Sequence, residues 1–129
     1  MKSNDGRAGI GNAKVGEVLD TLLQTESFKL ERIVSTGQST PTGEWLQERT
    51  NEWVLLLTGH AEILFEGDDE PLCLKGGDYV HIPARRKHRV VLTDPKKECV
   101  WLALHYQHKI FMRDNDGQMA TTILAADTN

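Results

Sequence analysis

The chain of 129 residues has only two cysteines, Cys73 and Cys99, and each sits inside an apolar run, PLCLK and ECVWLAL. A cysteine so placed acts as a small buried hydrophobe, so neither a disulfide framework nor a paired-cysteine zinc site is expected. No apolar stretch approaches the ~20 residues that a bilayer-spanning helix needs, and the N-terminal MKSNDGRAGIGNAK lacks the apolar centre of a signal peptide. A soluble, cytoplasmic protein with no membrane partner is the expectation. Positive charge is not in excess: 15 Lys and Arg stand against 19 Asp and Glu, a formal net charge of -4. That balance supplies no field to draw in nucleic acid, and no nucleic-acid partner is expected. Missing too are a glycine-rich phosphate loop, a nucleophile elbow and an internal repeat.

What is present fits one domain with a single core. Residues 1–13 are rich in Gly, Asn, Ser and Asp without periodicity and read as a flexible tail. Val15, Val18, Leu19, Leu22 and Leu23 then fall on one stripe at helical spacing, which predicts a helix over residues 15–24 packed across the outside of the domain or against a partner subunit. Short β-type runs follow without intervening helices: FKLERIVS, EWVLLLT, HAEILFEG, PLCLK, DYVHIP, HRVVLT and CVWLALHY. Such a series argues for an all-β sandwich or barrel. Thr58-Gly59-His60 reads as a tight hairpin, Gly67 to Pro71 as a longer polar turn, and Gly76-Gly77-Asp78 as a source of positive φ before the next strand. The barrel with its leading helix is placed over residues 14–107. Residues 108–129 form a C-terminal extension that reads as a hairpin around Asp116-Gly117, or as a tail that pairs with a neighbouring subunit.

Two stretches carry a family likeness. EWVLLLTG, from Glu52 to Gly59, and GDYVHIPARRKH, from Gly77 to His88, resemble the two signature motifs of the cupin superfamily. The likeness runs roughly from Phe28 to Tyr106, and the surroundings ERIVSTG and EWLQERTNEWVLLLTGHAEI are similar to a group of small bacterial cupins. It implies an all-β fold, an antiparallel double-stranded β-helix or jelly-roll barrel, here with one short N-terminal helix. It also implies a metal ion held in the barrel mouth by imidazole and carboxylate. Glu52 and Gly59 match the first motif, but its two histidines are absent, their places falling on Trp45 and Gln47 or on Leu46 and Glu48. Gly77, Pro83 and His88 match the second, and Arg85 stands where a glycine is usual.

The family positions therefore offer His88 and Glu52, with Glu48 or Gln47 as a third donor, to a divalent transition metal. Arg85, Arg86, Lys87 and Arg89 crowd that histidine, and positive charge opposes a bound cation while suiting a carboxylate or phosphate. Two function classes follow. The first is a barrel that binds a small polar or anionic molecule in its mouth through His88, Glu52, Gln47, Glu48, His81 and Arg85. The second is a metal-dependent enzyme of the oxygenase or isomerase kind, its ion held by His88, Glu52 and Glu48.

Among the other histidines, His60 falls in a turn and reads as solvated. His81 faces away from Val80 and Ile82, towards a cavity or a subunit contact. His105 shares a face with Trp101 and Ala103, as a satisfied core histidine or as a ligand or acid–base group. Of the three tryptophans, one could wall a small cavity. The runs WVLLL and CVWLAL are apolar on both faces and need cover on each side, so a homodimer is expected.

Overall fold

The computed structural model describes residues 16–107, 109–113 and 119–123. Among them are ten strands and no helix: β1 (Val18–Gln24), β2 (Phe28–Ser35), β3 (Asn51–Thr58), β4 (His60–Phe65), β5 (Leu72–Lys75), β6 (Tyr79–Ile82), β7 (His88–Thr93), β8 (Cys99–Tyr106), β9 (Lys109–Arg113) and β10 (Met119–Ile123). They form a five-stranded sheet in the order β1-β2-β8-β3-β6, a three-stranded sheet in the order β5-β4-β7, and a two-stranded sheet of β9 and β10. All the strand pairs are antiparallel. This is the all-β architecture expected of the strand series, and the jelly-roll barrel that the family likeness implies.

The two larger sheets close on each other because their strands alternate. On β3 Val54 and Leu56 turn inward, on β8 Cys99, Trp101 and Ala103, and on β4 Ala61 and Ile63; with Leu74 and Ile82 they make one buried cluster. Leu56 is fully buried, so truncating it to alanine should cost roughly 2–5 kcal/mol. Both motif glycines hold corners of this frame. Gly59, at φ 82°, turns the chain from β3 into β4, and a Cβ there would meet Cys99 Sγ at 2.7 Å. The expected hairpin is not formed at that point: β3 pairs with β6 and β8 while β4 pairs with β5 and β7, so Gly59 is a crossing between sheets. Gly77, at φ 98°, precedes β6 as the turn reading required.

The leading helix is corrected. Residues 18–24 are a strand, paired with β2 from Val18–Val34 to Gln24–Lys29. The helical stripe was real in spacing, but a helix on the barrel wall would leave the edge of β2 unpaired, and a second strand satisfies it. Asp20 lies directly opposite Arg32, and the two are ion-paired at 2.9 Å. The Thr25 hydroxyl accepts the backbone N–H groups of Ser27 and Phe28, closing a short turn between the strands. The tail expected over residues 1–13, Val15, His108 and the turn at 114–118 lie outside the described residues.

Candidate functional site

Between the two sheets lies a cavity of about 290 Å³. That is the small end of the range for ligand pockets, which starts at roughly 300 Å³. Its wall is apolar where Leu19, Ile33, Val54, Ile63, Val90 and Trp101 face inward. Its polar groups come from strand residues that continue the inward rows past the core: Glu31 and Ser35 on β2, Glu52 on β3, His105 on β8 and His88 on β7. A period of two along each strand places all of them inside.

At one end Glu31, Glu52 and His105 meet across three adjacent strands. Glu52 is directly opposite His105 on β8, and Lys29 of β2 is opposite His105 on the other side. His105 Nε2 lies 2.9 Å from Glu31 Oε1 and 3.9 Å from Glu52 Oε2. Lys29 Nζ lies 3.3 Å from the second Glu31 oxygen. Burial opposes charge on Glu31, but the hydrogen bond and charge of His105, with Lys29 beside it, hold its carboxyl below the usual range. Burial likewise opposes charge on His105, yet the Glu31 hydrogen bond and the charges of Glu52 and Glu31 outweigh it, and the net shift is upward. Glu52 has no such donor among the described residues. Burial, then the neighbouring charges of Glu48 and Glu31, push its carboxyl up to about 7, against the pull of His105.

His88 faces this group from the opposite sheet. It is 4 % exposed, its ring stacks obliquely near Phe65, and its Nδ1 lies 2.9 Å from the Arg86 carbonyl oxygen. A carbonyl only accepts, so Nδ1 carries the proton and Nε2 presents a lone pair. Burial pushes the ring below its ordinary pKa, more than the Arg86 contact and the charge of Glu48 lift it, so the neutral tautomer is favoured at neutral pH. Nε2 has no hydrogen-bond partner among the described residues.

The loop before β3 closes the remaining side. Leu46 and His88 exchange both backbone hydrogen bonds, at 2.7 and 3.1 Å, and Arg85 N–H donates to the Glu48 carbonyl at 2.7 Å. Glu48 is thereby held at the cavity wall. Arg85 adopts φ 63°, the left-handed conformation that glycine takes without strain. Its backbone therefore does what the family's usual glycine would do, and its side chain is exposed.

Of the residues singled out from the sequence, the fold brings Glu48, Glu52 and His88 to the cavity and leaves Gln47, His81 and Arg85 off it, all three exposed. His81 lies on the outer face of β6, stacked on Tyr106 with ring centroids 6.4 Å apart. His60 is exposed and bonds Asp94 at 3.0 Å. The arginine cluster also stays outside. Arg86 lies over the Phe65 ring, 5.0 Å from its centroid, and donates to the Glu66 carbonyl, while Arg89 donates to the carbonyls of Thr40 and Pro41. Sequence reasoning passed over Glu31 and Lys29. Alternation in FKLERIVS puts Lys29 and Glu31 on one row with Ile33 and Ser35, but does not reveal the neighbouring β8 that gives them their partner.

The metal that the family likeness implies does not fit these donors. Among the described residues no three His, Cys, Asp or Glu side chains gather as an ion would require. His105 Nε2 is taken up by Glu31, and Gln47 points to solvent.

A profile of the cupin domain matches residues 32–105. Among solved structures, a protein from Ralstonia eutropha JMP134 provisionally named mannose-6-phosphate isomerase is 38% identical over 82% of this chain and 97% of its own, with a TM-score of 0.69. The polyketide cyclase RemF of Streptomyces resistomycificus is similar in fold at 17% identity, covering 82% of this chain and 80% of its own, with a TM-score of 0.62. A cupin superfamily protein of Desulfitobacterium hafniense DCB-2 is also 17% identical, over 82% and 98%, with a TM-score of 0.59. No curated protein matches the chain in sequence. No helix among the described residues is long and apolar enough to cross a membrane. The matched span takes in β3, β7 and β8 with the cavity residues they carry, and on that match the chain belongs to the cupin superfamily.

Proposed function

We propose that the barrel binds a small polar molecule, rich in hydrogen-bond donors, in the cavity between the sheets. One observation carries this reading. His88 Nε2 and the Glu52 carboxyl line one cavity from facing sheets, and neither has a hydrogen-bond partner among the described residues. The one fully buried side-chain atom without a partner among the described residues is Arg89 Nε, so both groups stay open to the cavity space, where a donor-bearing ligand supplies the hydrogen bond each lacks. An anionic ligand has less support, because the arginines suggested for it do not line the cavity. The test is NMR titration of the full chain with small polyols and amines. Amide shifts confined to residues near 29–35, 52–54, 88–90 and 101–105, weakened about tenfold by His88→Ala, are the expected result. No shift there with any probe at tens of millimolar overturns the reading.

A second reading, proton-transfer catalysis, is favoured by Glu52 alone. A carboxyl pushed up to about 7 beside a hydrogen-bonded imidazole is placed to take and return a proton near neutral pH. The Ralstonia relative's name belongs to an isomerisation, which such a group serves. The metal-dependent form of this reading lacks a gathered ligand set among the described residues. Solvent deuterium entering the α-carbon of glyceraldehyde, and lost in Glu52→Gln, supports catalysis. No incorporation removes it and leaves the binding reading standing.

A further inference from the structure

We infer that the ligand carries an uncharged polar group at each end of a short apolar middle, as an α,ω-diol does, and lies lengthwise along the strands. The inference rests on the binding reading above and adds to it where the ligand's polar groups sit. The cavity lining is banded. Along the inward row of β2, Lys29 and Glu31 are followed by Ile33 and then by Ser35, and along β7 His88 is followed by Val90 and then by Thr93. The two sheets run through these bands in the same order. At one end the charge of Glu48 reaches both Glu52 and His88, and at the other the carbonyl of Gln38, just beyond Ser35, accepts the Thr93 hydroxyl. The middle band also continues across the strands. Ile33 stands opposite Leu19 of β1 on one side and Trp101 of β8 on the other, Val54 stands opposite Ala103, and Ile63 opposite Val90.

Each polar band offers hydrogen bonds of both senses. In the first, Lys29 donates, while His88 Nε2 and the Glu52 carboxyl accept. In the last, Ser35 Oγ donates to Glu17 at 2.7 Å and Thr93 Oγ to the Gln38 carbonyl at 2.6 Å, which leaves lone pairs on both oxygens. Ser39 and Thr40, in the loop that follows β2, also line the cavity, and no described residue accepts their hydroxyl hydrogens. A terminal hydroxyl both donates and accepts, so it meets either band without a charge. The middle asks for carbon alone, because a hydroxyl set against Ile33, Trp101 and Val54 finds no partner there. Length follows from the strands. At about 3.3 Å per residue the Glu31 and Ser35 positions are ~13 Å apart, and a hydrogen bond of about 3 Å at each end leaves roughly 7 Å, the span of a five-carbon chain between two hydroxyls. A space of about 290 Å³ drawn out over that distance is narrow, which suits an unbranched ligand.

Three probes with one carbon skeleton separate the placement of polar groups from size: 1,5-pentanediol, 1-pentanol and xylitol, each titrated into the full chain at pH 7.5 and followed by amide shifts. Pentanediol is expected to move the amides around Glu31, Glu52 and His105 together with those around Ser35 and Thr93, and to bind at least about fivefold more tightly than either of the others. Ser35→Ala and Thr93→Val, each with its fold checked by the amide spectrum, should weaken the diol about three- to tenfold and change pentanol little. Either variant suffices if the other does not fold. Pentanol or xylitol binding in the cavity as tightly as the diol overturns the inference and leaves the binding reading intact. So do diol shifts confined to one end of the cavity, or diol binding that neither variant alters. If none of the three moves those amides, the inference falls, and the amines of the earlier titration decide the binding reading separately.

Discussion

Replacing Glu52 by glutamine should stabilise the protein, and the gain should appear only as pH rises. Glu52 is held with 13% of its side chain exposed, and its carboxyl is pushed from 4.5 up to about 7, first by burial and then by Glu48 and Glu31. Below pH ~4.5 the group is protonated in both the folded and the unfolded chain and contributes nothing. Between about 4.5 and 7 the unfolded chain releases the proton while the fold retains it, so unfolding gains free energy and stability falls as pH rises. At 1.36 kcal/mol per unit the loss reaches on the order of 3 kcal/mol above pH 7. For a domain of this size that corresponds to a lower melting temperature by roughly 10 °C. The glutamine variant carries no charge to desolvate, so it should melt with the parent at pH 4 and about 10 °C higher at pH 8.5. Thermal melts by circular dichroism across that range check it. A parent whose stability is flat or rising from pH 5 to 8, or a variant that matches it at pH 8.5, refutes the reasoning. The cost that the fold bears at Glu52 is of the kind found where a group serves binding or chemistry rather than stability.

The remaining expectations use other parts of the same frame. Because Glu31 hydrogen-bonds His105 at 2.9 Å, the His105 ring should titrate above the usual histidine value by NMR, and Glu31→Gln should bring it down; a ring unmoved by that change contradicts the assigned pair. The same pair gives stability that is complete below the unfolded histidine pKa and lost as pH rises through the raised folded one, so Glu31→Gln should cost more at pH 5.5 than at pH 9. Arg85→Gly should be neutral or stabilising by up to about 1 kcal/mol in chemical unfolding, since a left-handed φ of 63° strains arginine and not glycine. A loss of more than about 1 kcal/mol would mean that the arginine side chain holds the turn. Self-association is the expectation for exposed apolar groups on the sheets, with Leu57 at 44% and Tyr79 at 65% exposure; light scattering at micromolar concentration should give a dimer mass, and a strict monomer removes it.

The barrel was legible because its strands are short, β-branched or aromatic, and separated by turn residues: HRVVLT and CVWLALHY coincide with β7 and β8 from end to end. β1 was not, because VLDTLLQ also satisfies a helical stripe, and only pairing with FKLERIVS across the Thr25 turn distinguishes the two. A pair of strand-like runs joined by Thr-Glu-Ser was the available signal. Glu52, Glu48 and His88 were reachable from motif position, since each stands where the backbone path alone brings a side chain into the barrel. Glu31 was not, because its role depends on β2 lying beside β8, a pairing 74 residues apart in sequence that no local pattern records. The arginine cluster misled for a related reason. Its charges are adjacent in sequence, but alternation and the Arg85 turn send them to different places: Arg86 onto Phe65, Arg89 to the Thr40 carbonyl, and Arg85 into solvent.

The binding claim is tested most directly by a long-range proton–nitrogen NMR spectrum of the histidine rings, recorded with and without a saturating amount of the polyol or amine that moves the cavity amides in the titration. In the free protein at neutral pH, His88 should show a protonated Nδ1 and a bare Nε2, as the Arg86 carbonyl requires. On saturation the Nε2 resonance should move as it accepts a hydrogen bond, together with the amides flanking Glu52 and His105. A His88 protonated at Nε2 in the free protein, or an Nε2 resonance unmoved while shifts appear on the outer face of the sheets, contradicts the account.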